Sequence, residues 1–233
     1  MLSSTNYHSV WEQAPGLGRL VSSDPRDRKF LMRELAPPPK VTKMFWDIPN
    51  ILDQGSTNEC TAYSAEYLLL CGPVKNQMYK TPHDLYLENQ KNDEWFPTPH
   101  EGSSVRAAMK VLQAAGYLSN YVWAFNARDA ANWVLTKGPV VFGIDWYSEM
   151  FKPNTRTGFI RARGTVQGGH AICCRGYDDR LLCPDGSRGA FRLINSWGID
   201  YGQKGLVWIS FKDMDKLIKQ NGEAASPSEI LKV

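Results

Sequence analysis

The stretch Asp53-Gln54-Gly55-Ser56-Thr57-Asn58-Glu59-Cys60-Thr61-Ala62-Tyr63-Ser64 decides the reading of this chain. A polar, turn-forming run ends on a cysteine, and the residues after it are mostly apolar and helix-favouring. The pattern predicts a helix from about Cys60 to Leu70 that is apolar nearly all round, and therefore central and buried. A helix N-terminus carries partial positive charge from its unpaired N–H groups, so a thiol placed there ionises more readily than a free one. Gln54, six residues earlier, can fold its amide back beside the thiol and join the Cys60 backbone N–H as a donor to a developing oxyanion. Read alone, the stretch serves equally well as the seat of a buried, inert cysteine, because free cysteine is among the most buried residue types.

Two later stretches shift the balance. Gly168-Gly169-His170-Ala171-Ile172 sets a histidine at the head of an apolar, strand-like run, and Leu193-Ile194-Asn195-Ser196-Trp197-Gly198 sets an asparagine beside a tryptophan at the end of another. A thiol, an imidazole and an amide that can orient it are the parts of a cysteine nucleophile with a positioned base. With Asp53-Gln54-Gly55, Cys60, Gly169-His170-Ala171, Gly176-Tyr177, Asn195-Ser196-Trp197-Gly198, Tyr201-Gly202 and Gly205, in that order, the chain resembles the papain-like cysteine peptidases.

The resemblance implies an α+β fold in which a helical half and an antiparallel β-sheet or barrel half face each other across a cleft. It implies hydrolysis of peptide bonds by Cys60, His170 and Asn195, with Gln54 as oxyanion donor. Gly102, Gly169, Ala171 and Trp197 would line the substrate groove, Ala171 at the pocket for the side chain two before the scissile bond. Water accepting the acyl group makes a peptidase, and an amine makes a transpeptidase or ligase. The chain departs from the family pattern at Thr57, where a disulfide-forming cysteine is usual, at Thr61, where a tryptophan follows the nucleophile, and at Glu59, whose charge disfavours a neighbouring thiolate unless it points to solvent. The Glu59 position and the lack of a long pro-region motivate a second reading, a papain-like fold kept as a binding or assembly module with little turnover.

Composition narrows the alternatives. With 233 residues, 42% hydrophobic and 22% charged, the chain can bury a sizeable core. A formal charge of +3, scattered and of mixed sign, gives no footprint for nucleic acid, and the partner that the resemblance implies is a peptide or protein substrate. Five cysteines without a Cys-x-x-Cys spacing argue against a disulfide framework and a zinc site, and neither metal nor cofactor is expected. Cys71, Cys173, Cys174 and Cys183 read as core or loop residues. No basic-then-apolar leader and no apolar run near 18 residues is present, so the expectation is a protein without a membrane contact, cytoplasmic or delivered by a non-classical route.

Residues 1–43 form an expected arm, and 44–233 the catalytic domain, helical over about 46–122 and β over about 123–222. The arm is rich in turn formers, as in Pro15-Gly16-Leu17-Gly18, Ser22-Ser23-Asp24-Pro25 and Pro37-Pro38-Pro39, yet Trp11, Leu17, Leu20, Phe30, Leu31 and Met32 are too apolar for a free tail. It is expected to pack on the body, either as a propeptide-like strap over the cleft or as a structural strap elsewhere. Further helices are predicted after Thr81-Pro82, over Val105, Met109 and Leu112 with Gly116 as stop, and after Asn126. Strands are predicted over 140–146, 171–177, 191–195 and 206–211, the last closing the sheet. His8, His83 and His100 have no partner pattern.

Overall fold

The computed structural model describes residues 15–74 and 77–231; Trp11 and His8 lie outside them. The chain enters through β1 (Arg19–Leu20), a 3-10 turn over Pro25–Lys29 and the short α1 (Met32–Leu35), then β2 (Lys43–Phe45). The helical half follows as α2 (Cys60–Leu70), α3 (Pro82–Asn92), β3 (Ser103–Ser104) and α4 (Val105–Ala114). After it come β4 (Tyr121–Ala124), α5 (Ala127–Thr136), β5 (Val140–Tyr147), β6 (Val166–Leu182), β7 (Arg188–Ile194), β8 (Leu206–Ser210), α6 (Phe211–Gln220) and β9 (Glu223–Pro227). This is an α+β, papain-like fold.

Local chemistry explains the helix starts. Thr81, Ser104 and Asn126 each accept from a backbone N–H of the first turn, which satisfies a donor that the helix itself leaves unpaired. Pro82 and Gly116 mark a start and a stop as the sequence predicts. Helix α2 begins at Cys60 without a side-chain cap, because the residue before it, Glu59, is turned to His83 instead.

Seven strands form one sheet in the order β4-β9-β5-β6-β7-β8, with β2 added against β6, and every pairing is antiparallel. The sheet is a wall between two cores. Val141, Ala171 and Ala225 pack with α2, α3 and α4 on one face, while Val140, Phe142 and Ile144 join Trp133, Trp146 and Phe191 beneath α5 and α6 on the other. Side chains alternate along a strand, so a strand buried on both faces reads as a nearly unbroken apolar run, which 140–146 displays with Asp145 as its one interruption.

Two expectations change. The 206–211 segment does not close the sheet: Phe211 opens α6, and the chain returns as β9 between β4 and β5. Strand β6 extends beyond 171–177 in both directions, with irregular register around Arg175 that lets it serve β5, β7 and β2.

Candidate active site

Cys60 opens α2, at the N-terminus of a helix buried on almost every side. His170 sits on β6 and Asn195 follows directly after β7, so register brings them together: Cys173 pairs with Ile194, which sets the asparagine diagonally across from His170, two residues further along β6. His170 Nε2 lies 2.8 Å from Asn195 Oδ1. That oxygen also accepts from the Ser196 N–H, which identifies it as the acceptor and places the ring proton on Nε2. His170 Nδ1 is buried and has no hydrogen-bond partner. The Ala171 N–H, next along β6 from His170, donates to Cys60 Sγ at 3.3 Å.

Gln54 is fixed at both ends of its amide. Its Oε1 accepts from Ser196 Oγ at 2.6 Å, its Nε2 donates to Thr57 O at 2.6 Å, and its backbone N–H donates to Ser196 O. Trp197 is fully buried and, with Trp146, clamps the imidazole, each ring centroid 4.7 Å from that of His170. Phe151 stacks on the far side of Trp197 at 5.4 Å. Ser196 and Trp146 are parts of this cluster that sequence reasoning missed. Ser196 stood inside a quoted motif, whereas Trp146 had no signal beyond its place in an apolar strand.

The arm runs through the middle of this arrangement. Gly16 donates to Gly55 O and its carbonyl accepts from Gln54 Nε2 at 3.2 Å and Trp197 Nε1 at 3.1 Å. Leu17 reaches Gly168 and the larger core. Gly18 donates to Gly169 O and accepts from the Ser103 N–H, so it bridges the sheet wall and the helical wall. A Cβ on Gly16 would overlap the Thr57 carbonyl, and a Cβ on Gly102 would overlap that of Gly18, so only bare backbone lets the chain pass this closely. Gly102 thus leaves the room, and its neighbour Ser103 makes the hydrogen bond, within a two-residue parallel pairing of β1 with β3. Cys60, His170, Gln54, Asn195 and Trp197 are all buried.

Burial sets the electrostatics. It pushes the Cys60 thiol up to about 12, against hydrogen bonds that pull it down, and draws His170 down to about 4, against its bond to Asn195. Beneath the arm the pair is therefore a neutral thiol and a neutral imidazole, unlike the ionised pair that a bare helix N-terminus favours. Glu59 contributes little to the thiol, since its carboxylate is 2.8 Å from His83 Nδ1. His83 thus has a partner that the sequence did not announce, and that carboxylate raises its pKa. His100 likewise faces Thr98 O and Asp93. All five cysteines are free and buried. No group of three or more metal-binding side chains occurs among the described residues, and no helix there is long and apolar enough to cross a membrane.

Comparisons with known proteins bear on the fold and the family. The profile of the papain family cysteine proteases matches residues 72–226, a span that holds His170 and Asn195 but neither Gln54 nor Cys60. No curated protein matches the chain by sequence. Among solved structures, xylellain, a cysteine protease from Xylella fastidiosa, is 18% identical, with a TM-score of 0.68 over 94% of this chain and 99% of its own. Bromelain from Ananas comosus is 13% identical, with a TM-score of 0.60 over 80% of this chain and 98% of its own. The clostridial cysteine protease Cwp84 after propeptide cleavage is 20% identical, with a TM-score of 0.60 over 91% of this chain and 58% of its own. The chain belongs to the papain family and is a papain-like cysteine peptidase.

Proposed function

We propose that Cys60 is the nucleophile, His170 its proton partner, Asn195 the group that orients the imidazole and Gln54 a donor to the oxyanion, in a peptidase held off by its own N-terminal arm. One observation carries this reading. His170 Nε2 is taken by Asn195 while Nδ1 is left without a partner, and the Cys60 sulfur lies against the next residue of the same strand. A neutral imidazole in that tautomer has its lone pair on Nδ1, where a thiol proton can be received.

When the arm leaves, water and peptide replace it and the charged forms are no longer penalised by burial. The proton passes from Sγ to Nδ1, and the thiolate adds to the scissile carbonyl carbon. The oxyanion takes hydrogen bonds from Gln54 Nε2 and the Cys60 N–H, and the imidazolium protonates the leaving amine as the C–N bond breaks. Water then attacks the thioester, giving its proton to His170, and the acyl group leaves as a carboxylic acid while the sulfur recovers a proton. Gln54 Nε2 is committed to Gly16 O beneath the arm, so the cover occupies a donor that the reaction needs. The substrate is a peptide or protein chain lying extended along Ser103 and Gly169, where Gly18 now makes those bonds, with Gly102 and Trp197 as further walls of the groove.

The test is labelling by an epoxide inactivator of thiol peptidases, located by peptide mapping, on the full chain and on a form lacking residues 1–20. Removing more of the arm would also take Asp27 and Met32, which are buried in the body. Selective labelling of Cys60 in the shortened form, lost in His170→Ala, is expected. Turnover by the shortened form should fall about 10²- to 10³-fold in Gln54→Ala, the cost of one oxyanion donor. A Cys60 that reacts no faster than the other cysteines once uncovered would overturn the assignment and leave a binding module.

A further inference from the structure

We propose that Arg175 and Arg192 form a binding site for a phosphate-class dianion, on the sheet face that carries α2 but beyond the end of that helix and outside the groove that the arm fills. No step of peptide-bond cleavage uses either arginine, so the site goes beyond the reading above and does not depend on it. Phe45, Gly176, Arg192 and Trp208 stand in register on β2, β6, β7 and β8, and residues opposed in this way project from one face of a sheet. One step along the same face, Ile194 and Leu206 pack against Tyr67 of α2 and Cys71 at its end. The row lies past that cover, and arginine stems and aromatic rings take the place of a helix.

Arg175 joins the row because β6 is irregular there. Cys174 pairs with Leu193 and Gly176 with Arg192, so Arg175 is an extra residue without a partner on β7, and such a bulge re-aims a side chain. The bare Gly176 admits the Phe45 ring, which a Cβ there would overlap. The Arg175 guanidinium lies 5.6 Å from the Phe45 ring and that of Arg192 lies 4.9 Å from the Trp208 ring, while the two rings meet edge to face at 5.7 Å. A ring under its flat face fixes the plane of a guanidinium and leaves the N–H edge to point outward.

Neither guanidinium is hydrogen-bonded to a carboxylate among the described residues. Arg175 Nε donates to Trp46 O at 2.8 Å, and Arg192 Nη1 donates to Gln203 Oε1 at 2.9 Å. Nε and Nη2 of Arg192 and Nη1 of Arg175 have no acceptor there, and none of these atoms is shut off from solvent. Asp47 attracts Arg175 through space, but the charged neighbour of Arg192 is Arg175 itself. Asp178, in the next row, is taken by Lys43 at 3.9 Å. Burial and the Arg175 charge together draw Arg192 down to about 10. Elsewhere on the surface cations take carboxylates, Arg26 with Asp24, Lys80 with Glu88 and Lys219 with Asp215. Two half-buried cations that repel each other cost stability, and a bound anion offsets that cost.

The ligand class follows from the charge and shape of the donors. Two planar forks carrying two positive charges suit a tetrahedral oxyanion of charge about −1.5 to −2 with acceptors in several directions, whereas a carboxylate offers one charge in one plane. Free phosphate and a phosphate monoester share this chemistry. Phe45 is 37% exposed beside the site, so its ring gives the organic part of an ester a surface to rest on.

The experiment is isothermal titration calorimetry on the full chain, whose arm covers Cys60 and His170, with inorganic phosphate and phenyl phosphate as probes and sodium chloride added to hold the ionic strength constant. Saturable binding at a single site, with a Kd in the millimolar range or tighter, is expected. Arg192→Gln and Arg175→Gln are each expected to weaken it by about tenfold or more, the loss of charge-assisted hydrogen bonds. If Arg192→Gln is not recovered folded, Arg192→Lys, which keeps the charge and loses the fork, is expected to weaken it severalfold. Phenyl phosphate binding more tightly than inorganic phosphate, with the gain lost in Phe45→Ala, supports the site and assigns it to an organic monoester; equal affinities support it and assign it to the free anion. The absence of saturable heat, or binding that is unchanged in both arginine variants, overturns the proposal.

Discussion

Residues 15–20 and residues 21–35 belong to one continuous arm and are held in opposite ways. The first stretch lies in the groove by backbone hydrogen bonds to Gly55, Gly169 and Ser103, made close by glycines, with Arg19 as its one buried charged latch. The second is part of the body. Asp27 pairs with Arg106 of α4 through two hydrogen bonds, one of them 2.8 Å between Oδ1 and Nη1, and Arg106 also reaches Ser22. Phe30 O accepts from Trp123 at the head of the sheet, and Met32 is wholly buried in the larger core. Backbone pairing in a groove can be exchanged for another extended chain at little net cost. A buried ion pair and a core methionine cannot. The difference separates a cover that can leave from an anchor that keeps the cover's far end in place.

The largest effect should come from breaking the anchor. Asp27→Ala leaves the Arg106 guanidinium buried without its counter-charge, a loss of about 3 to 5 kcal/mol, which for a domain of this size lowers Tm by on the order of 10 °C. Differential scanning calorimetry checks it, and a change under about 2 °C would place Asp27 with the cover.

Gly16→Ala should act on the cover alone. Its Cβ has no room beside the Thr57 carbonyl, so residues 15–18 must lift while Asp27 and Met32 stay. Labelling of Cys60 is expected to accelerate by about tenfold or more, with Tm falling far less than in Asp27→Ala. If the two variants lose stability alike, the two stretches are one unit and the comparison fails.

The covered pair also predicts a pH signature. With His170 drawn from 6.5 to about 4, the unfolded chain binds more protons than the folded one between those values, so stability rises with pH across that window and is lost as pH falls through it. With Cys60 pushed from 9.0 to about 12, the folded chain keeps a proton that the unfolded one releases, so stability falls as pH rises from 9.0. At full extent the acid limb is worth roughly 3 kcal/mol and the alkaline limb roughly 4 kcal/mol, from about 1.36 kcal/mol per pH unit. Urea titrations at a series of pH values should give a plateau between the two limbs, and Gly16→Ala should flatten both by admitting water.

How far these features could be read from sequence follows the range over which each is encoded. Helices α2 to α5 announce themselves within a few residues, through Thr81 before Pro82, the cap at Asn126 and the all-round apolar run after Cys60. The cysteine, histidine, asparagine and glutamine stand out because each sits in a short motif. Strand β9, Glu-Ala-Ala-Ser-Pro, has weak strand propensity and takes its place between β4 and β5 through burial alone. The Arg19 to Glu223 contact spans 204 residues and leaves no local trace. Nor does composition say that an arm rich in turn formers will thread a groove, since that depends on glycines from both walls being left bare.

The smallest effect tests whether burial, rather than the mere presence of opposite charges, makes the anchor. Arg33 and Glu34 sit in the anchored stretch and form a pair at 3.4 Å, but their side chains are 60% and 63% exposed. Water screens such a pair and the two long side chains lose rotamer freedom to form it, so it contributes little. Glu34→Ala is therefore expected to move Tm by less than about 1 °C and to leave the Cys60 labelling rate of both the full chain and Gly16→Ala unchanged. A loss approaching that of Asp27→Ala would mean that the stretch is held by its surface charge as a whole. In that case raising the ionic strength should loosen the arm and speed labelling, whereas the buried Asp27 pair predicts a labelling rate insensitive to salt.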